Sequence, residues 1–185
     1  LPICWNEDNQ LSADQIDVYI KNQEVDYLHG VGNAMAIKRD GIEEFNQLSG
    51  KEMLAYVRDR EVYLVDVQGN AETVFYPRED DGTYIGVNRT QSSFVKLYIK
   101  DRQIDYVLFT TSTSGVMIPL DQALENERKL SGFFWAEEER PHSPQDIFSH
   151  PARTIRPVAG TTSAAAEDDE EEEEQDNKST RRQNR

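Results

Sequence analysis

An all-β fold of repeated antiparallel hairpins is what this sequence predicts, and three observations predict it. Blocks of sequence recur at fixed offsets, apolar and polar residues alternate at period two within each block, and no long amphipathic helical stretch is present. A fixed repeat marks a recurring supersecondary unit, and period-two alternation marks strands with one buried face.

The repeat sets the frame. Asn9-Gln10-Leu11-Ser12 recurs as Asn46-Gln47-Leu48-Ser49, an offset of 37, and Gly32-Asn33-Ala34 recurs as Gly69-Asn70-Ala71 at the same offset. Tyr19, Glu24 and Val25 match Tyr56, Glu61 and Val62. A third copy, Val95 to Val107, stands 79 residues after the first, which begins at Ile16.

Each unit reads as a β-hairpin. In the first, Ile16 to Leu28, Asn22-Gln23 occupies the two-residue turn; Asp59-Arg60 and Asp101-Arg102 are its equivalents. Asn and Asp tolerate the left-handed backbone that tight hairpins require. Plain alternation from these turns pairs Lys21 with Glu24, Ile20 with Val25 and Val18 with Tyr27. It likewise pairs Arg58 with Glu61, Val57 with Val62, Ala55 with Leu64, Ile99 with Ile104 and Leu97 with Tyr106. The charge pairs beside the turns contribute roughly 0.2–1 kcal/mol each.

The apolar residues then share one face. The first hairpin supplies Val18, Ile20, Val25 and Tyr27. The second supplies Met53, Ala55, Val57, Val62 and Leu64, and the third Val95, Leu97, Ile99, Ile104, Tyr106 and Leu108. Tyr19, Tyr56 and Tyr98 take equivalent positions on the opposite face, where cross-strand packing is their expected role. Shorter strands follow the hairpins at Ala34–Ile37, Ala71–Tyr76 and Val116–Ile118, making roughly nine antiparallel strands. A sheet with one apolar side and no helix to cover it folds onto itself as a sandwich, barrel or V-shaped trough. The apolar face then either closes a small core or lines a groove for an elongated apolar ligand, and periodicity alone leaves both open.

A short helix is expected over about Leu120 to Leu130, with Asp121 as its N-cap and Gly132 beyond its end, plugging one end of the sheet. Phe133, Phe134 and Trp135 would dock the following segment on the body. The body spans residues 1–150, and residues 151–185 read as a disordered acidic tail. Glu167 to Asp176 carries nine acids and no base, a segment too charged and too poor in apolar residues to offset its ordering entropy. The chain's net charge of −15 divides into −10 for residues 1–166 and −5 for the rest.

Composition and motifs exclude several functions. The apolar runs fall far short of the roughly 20 residues that a membrane helix needs. So acidic a chain, with no segregated basic patch in its body, is repelled by nucleic-acid phosphates. One cysteine, Cys4, makes neither an intrachain disulfide nor a cysteine zinc cluster. His29 is isolated, and His142 and His150 are eight apart, which matches no metal pattern on a helix face. Gly30-Val31-Gly32 lacks the third glycine and the helix of a dinucleotide fingerprint. Asp80-Asp81-Gly82 is a turn, with calcium binding as the alternative; Asn88-Arg89-Thr90 fits a short glycosylation pattern. No catalytic constellation and no cofactor motif emerges.

Several stretches resemble the OstA-like, LptA-type family of the lipopolysaccharide-transport system, in its Bacteroidota-type version. They are Cys4 to Ile16, Phe45 to Met53, Val65 to Asn70, Asp81 to Asn88 and Tyr98 to Arg102, then Met117 to Gln122, Leu130 to Trp135 and Glu139 to Phe148. The Gly-Val-Asn stretch and the Arg-Pro…Asp-Ile-Phe ending are the more specific parts. The likeness is to the later part of the family's chain, so the sequence, which opens on Leu1, reads as a piece of a longer one.

The resemblance implies a periplasmic β-jellyroll, or V-shaped "taco", without enzymatic activity. It implies lipopolysaccharide as partner, with the lipid acyl chains held between two sheet faces, and other transport modules joined edge to edge. The groove candidates are Val18, Ile20, Val25, Met53, Val57, Leu64, Leu97, Ile99 and Ile104. The rival expectation is a β-repeat scaffold with a filled interior, binding only protein through sheet edges or the Arg140 to Phe148 segment.

Overall fold

The structure, a computed structural model, describes residues 1–143 and 145–146. The expected acidic tail and His150 lie outside the described residues. The nine strands are β1 (Ile3–Asn6), β2 (Asn9–Ser12), β3 (Gln15–Lys21), β4 (Glu24–Arg39), β5 (Phe45–Arg58), β6 (Glu61–Phe75), β7 (Val87–Lys100), β8 (Gln103–Thr110) and β9 (Ser114–Ile118). They form one open antiparallel sheet in the order β1-β2-β4-β5-β6-β7-β8, with β3 also beside β4 and β9 also beside β7.

The short strands expected after the first two hairpins are continuations of β4 and β6. Strands β4 to β7 run 14 to 16 residues because each crosses a crease and serves two wings. One wing carries the hairpin turns, with β3 and β8 at its sides. The other carries β1, β2 and β9.

The crease has a local cause. Gly32-Asn33 and Gly69-Asn70 have positive φ, and pairing skips there between Val31 and Ala34 and between Gln68 and Ala71. Thr111-Ser112, 79 residues after Gly32-Asn33, repeats the positive-φ pair between β8 and β9. Two successive left-handed residues bend a strand sharply, and aligned bends fold the whole sheet. Asp14 ties the line together: its N–H donates to the Gly32 carbonyl at 2.8 Å, and its carboxylate accepts from the Asn33 amide at 2.9 Å. Small residues fill the inside of the bend, with Ala13, Ala34 and Ala71 at most 1% exposed. Met53, Val67 and Val95 pack against them as a dry core.

The hairpin turns form as expected, each with two positive-φ residues at Asn22-Gln23, Asp59-Arg60 and Asp101-Arg102. The strand register near each turn is as expected, with Lys21 opposite Glu24, Arg58 opposite Glu61 and Ile99 opposite Ile104, but the Glu24 and Glu61 carboxylates meet Arg60 and Arg102 rather than the expected Lys21 and Arg58. The register then departs from plain alternation. A bulge at Asp26, Tyr63 and Asp105, the same position in every copy, inserts one residue into each return strand. Val18 therefore faces Leu28 rather than Tyr27, Ala55 faces Val65 rather than Leu64, and Leu97 faces Val107 rather than Tyr106. One extra residue inverts every later side chain, so Tyr27, Leu64, Tyr106 and Leu108 lie on the outer face. There Tyr19, Tyr27, Tyr56, Leu64, Tyr98 and Tyr106 make one continuous cross-strand row. Tyr19 stacks on Tyr27, and Tyr98 on Tyr106, with ring centroids 4.2 Å apart in each pair.

The expected 11-residue helix is a single turn, α1 (Glu125–Arg128), started by the Leu124 N–H donating to the Glu127 carboxylate rather than by Asp121. It does not plug the sheet's end. Residues 119–140 instead strap the outer face of the second wing, where Leu130 packs on Met35, Ile37 and Val74. Trp135 stands edge-on to Trp5 at 4.9 Å, and Phe133 reaches Phe45 at 5.4 Å, so the aromatic anchor is formed.

The repeat holds this strap. Gln47 donates to the Arg128 carbonyl at 2.8 Å and accepts from the Leu130 N–H at 2.8 Å. Its repeat-equivalent Gln10 donates to the Phe134 carbonyl at 2.9 Å and accepts from the Ala136 N–H at 2.8 Å. Both glutamines are at most 3% exposed. Arg89, 79 residues after Gln10, reaches the Asn126 and Lys129 carbonyls. These side chains share one cross-strand row, Gln10-Ile37-Gln47-Val74-Arg89.

Tyr76 donates to the Arg128 carbonyl at 3.3 Å and is 2% exposed. Burial pushes its pKa up to about 12, against a weaker opposing pull from the Arg128 guanidinium. An unfolded tyrosine titrates near pH 10, so the folded state holds this proton more tightly. The stabilisation is complete below about pH 10 and is lost as pH rises toward about 12. Across that window the urea midpoint should fall more steeply for the native chain than for Tyr76→Phe; parallel slopes would remove Tyr76 as the cause.

Candidate functional site

The two wings enclose a cleft of about 1150 Å³. That exceeds the roughly 300–1,000 Å³ of a small-molecule pocket. The cleft crosses six strands at about 4.8 Å spacing, or roughly 24 Å, while one acyl chain spans half of a bilayer core about 30 Å thick. The length therefore accepts an extended acyl chain.

Burial separates core from wall, a division that periodicity could not make. Near the crease Met53 is 0% exposed and Ala55 and Val65 are 7%, so these close the domain. Toward the turns Val57, Val62, Leu97, Ile99, Ile104 and Val107 are half-buried and line the cleft, joined by the exposed Val25. Of the sequence candidates, Val25, Val57, Leu97, Ile99 and Ile104 thus form the open wall, and Met53 sits at its base. Val18 and Ile20 share the inner face, paired with Leu28 and Val25, but stand at the β3 edge, 49% and 68% exposed and outside the cleft lining. Leu64 is on the opposite side of the sheet, placed there by the bulge at Tyr63. Leu28, Val107 and Phe109 were missed for the same reason; the signal was the apolar neighbour one place beyond each assigned residue, whereas Val62, placed on the apolar face from the sequence, precedes the bulge and lines the cleft.

The second wing contributes a different surface. Leu11, Ala36 and Leu48 line the cleft, and beyond them lie the cross-strand neighbours Asn9, Lys38 and Asn46 and the pair Phe75 and Asn88. The mouth is partly latched. Arg102, in the β7–β8 turn, meets Glu61 at 2.8 Å and reaches across to Glu7 of the other wing at 2.9 Å. The Lys38 ammonium donates to the Arg102 carbonyl at 3.3 Å. Arg102 is 63% exposed, so the latch adds little stability.

The remaining polar candidates have local roles. His29 pairs with Glu52 at 3.3 Å on the outer face. The Asp81 carboxylate accepts from the Thr83 N–H at 2.9 Å, which holds its pKa below the usual value. Among the described residues no group of three His, Cys, Asp or Glu side chains is placed to hold a metal. Asn88 faces the cleft and accepts from the Thr90 hydroxyl, so the glycosylation pattern lies on an inner surface. Burial raises the Cys4 thiol's pKa, which disfavours the nucleophilic thiolate.

No protein-family profile matches the chain, and no curated protein matches it by sequence. No described helix is long and apolar enough to cross a membrane.

Proposed function

We propose that this chain is a lipid-carrying module that holds acyl chains between its two wings. The observation that carries the reading is the open apolar wall of Val57, Val62, Leu97, Ile99, Ile104 and Val107 facing a cleft too large and too open to be a packed core. Each methylene moved from water to such a wall gains about 0.8 kcal/mol, and non-directional contacts let the chain slide. Catalysis and cofactors form no part of the proposal. By the sequence resemblance the cargo is lipopolysaccharide, the compartment the periplasm, and the task delivery toward the outer membrane. Neighbouring transport modules would join edge to edge, and the tyrosine row supports this, because its ends, Tyr19 and Tyr106, are half-exposed on the side strands β3 and β8.

Photo-crosslinking groups at Val57 and Leu97 should capture lipid from envelope extracts, and one at Leu64 should not. Leu97→Asp, which places a charge on the half-buried wall flanking the dry core, should lower acyl-lipid affinity at least a hundredfold in the fraction that circular dichroism shows folded. Equal adducts at all three positions, or unchanged affinity in Leu97→Asp, would sink the trough. A protein scaffold would instead give protein adducts and no lipid in native mass spectrometry.

A further inference from the structure

The repeat places an asparagine at the same point of every unit: Asn9, Asn46 and Asn88, at offsets of 37 and 79. All three face the cleft on the second wing, beyond Leu11, Ala36 and Leu48. Lys38 stands between Asn9 and Asn46 in the same row. A surface meant only for hydrocarbon has no use for three amides and an ammonium, since each loses water when an apolar chain covers it.

Their hydrogen bonds are half committed. The Asn46 carbonyl oxygen accepts from the Tyr76 N–H at 2.9 Å, and the Asn88 oxygen accepts from the Thr90 hydroxyl at 2.9 Å. Neither NH2 group has an acceptor among the described residues. The Asn9 NH2 donates to the Asn6 carbonyl at 3.0 Å, which leaves its oxygen open. Lys38 has no carboxylate within ion-pair distance among the described residues, although Glu7 and Asp8 lie close along the chain's β1–β2 turn. The row thus offers free donors, one free acceptor and one unneutralised positive charge, opposite an apolar wall.

The charge around the mouth limits the partner. The cleft is lined by six acidic and five basic side chains, so it presents no net positive field to draw in a polyanion. Arg102 and Arg60 are already engaged by Glu61, Glu7 and Glu24. Lys38 is the one cation within the amide row.

Resting on the trough reading above, we infer that this row is a head-group site. Its ligand is an amphiphile with a hydroxyl-bearing head that carries one phosphate. The acyl chain lies on the Val57–Leu97 wall, the phosphate on Lys38, and the hydroxyls on the amides of Asn46 and Asn88.

The test compares the full chain with Lys38→Met/Asn46→Leu and with Leu97→Asp. The probes are lysophosphatidylglycerol, dodecanol, a bisphosphorylated lipid of equal chain length, and the apolar fluorophore N-phenylnaphthylamine. The native chain should bind lysophosphatidylglycerol at least tenfold more tightly than dodecanol, and the bisphosphorylated lipid no more tightly than the singly charged one. In Lys38→Met/Asn46→Leu the ratio of lysophosphatidylglycerol to fluorophore affinity should fall about tenfold, the loss expected for one charge-assisted contact. An unchanged ratio, or tenfold preference for two phosphates, overturns the head-group site. Fluorophore binding that disappears in Leu97→Asp while circular dichroism shows the variant folded keeps the trough in that case. Fluorophore binding indifferent to Leu97→Asp overturns trough and head-group site together.

Discussion

Gln47→Leu is expected to destabilise the protein by about 2–4 kcal/mol. Gln47 gives up two hydrogen bonds to the strap, one from its NH2 to the Arg128 carbonyl and one from the Leu130 N–H to its oxygen. The Arg128 carbonyl keeps a partner in the Tyr76 hydroxyl. The Leu130 N–H keeps none among the described residues, and Leu130 is 3% exposed. The buried Leu130 donor left bare costs about 1–3 kcal/mol, on top of about 1 kcal/mol for the bond lost to the Arg128 carbonyl. Leucine restores the volume, so a cavity is not the cause. Urea unfolding gives the loss, and amide exchange locates it: the Leu130 amide should exchange far faster while Val67 stays protected. Because Gln47 points away from the cleft, acyl-lipid binding by the folded fraction should survive. A loss under 1 kcal/mol with unchanged exchange would mean that the aromatic contacts alone hold the strap.

Gly50→Ala should be the more damaging of two glycine substitutions at the crease. A methyl at Gly50 would sit 2.4 Å from a γ-carbon of Val67, which is 0% exposed and has nowhere to go. Overpacking of this kind costs about 1–3 kcal/mol, at the upper end where the neighbour is rigid. At Gly69 the φ of +77° penalises any side chain by about 1–2 kcal/mol, while the nearest atoms belong to the flexible Lys51. The two costs differ in kind, and a double-mutant cycle separates them. Gly50→Ala/Val67→Ala should be at least 1 kcal/mol more stable than the sum of its single changes, because the smaller valine replacement makes room for the new methyl. Gly69→Ala/Val67→Ala should be additive. Additivity in both cycles would show that the crease is not limited by this contact.

Much of this architecture was legible in the sequence because it is local. Turns such as Asn22-Gln23 and Asp59-Arg60 require residues that tolerate positive φ, and the strands beside them show their period directly. The bulges were not legible. Val25-Asp26-Tyr27-Leu28 satisfies plain alternation through Tyr27 and the bulged register through Leu28, since either is apolar enough for a buried face. That ambiguity moved Leu64 from the outer face into the predicted groove. The strap was hidden for a different reason. Its turn of helix is too short for a periodic signal, and its holding residues, Gln10 and Gln47, are of a type usually exposed. Their recurrence at one offset was visible, but not that they would be buried against a segment 81 to 126 residues away.

The sequence by itself determined three hairpins, their turns, the antiparallel all-β class and the concentration of apolar residues on one face, because each depends on backbone preferences within a few residues; β1 and β2 were not among its expected strands. Only the tertiary structure decided which apolar residues became sealed core and which became open wall. That depends on the distance between the wings, which is small where Ala13, Ala34 and Ala71 let them meet and widens toward Val57, Leu97 and Ile104. A strand carries the same alternation on both sides of a crease, so its pattern holds no record of how far away the facing surface will be.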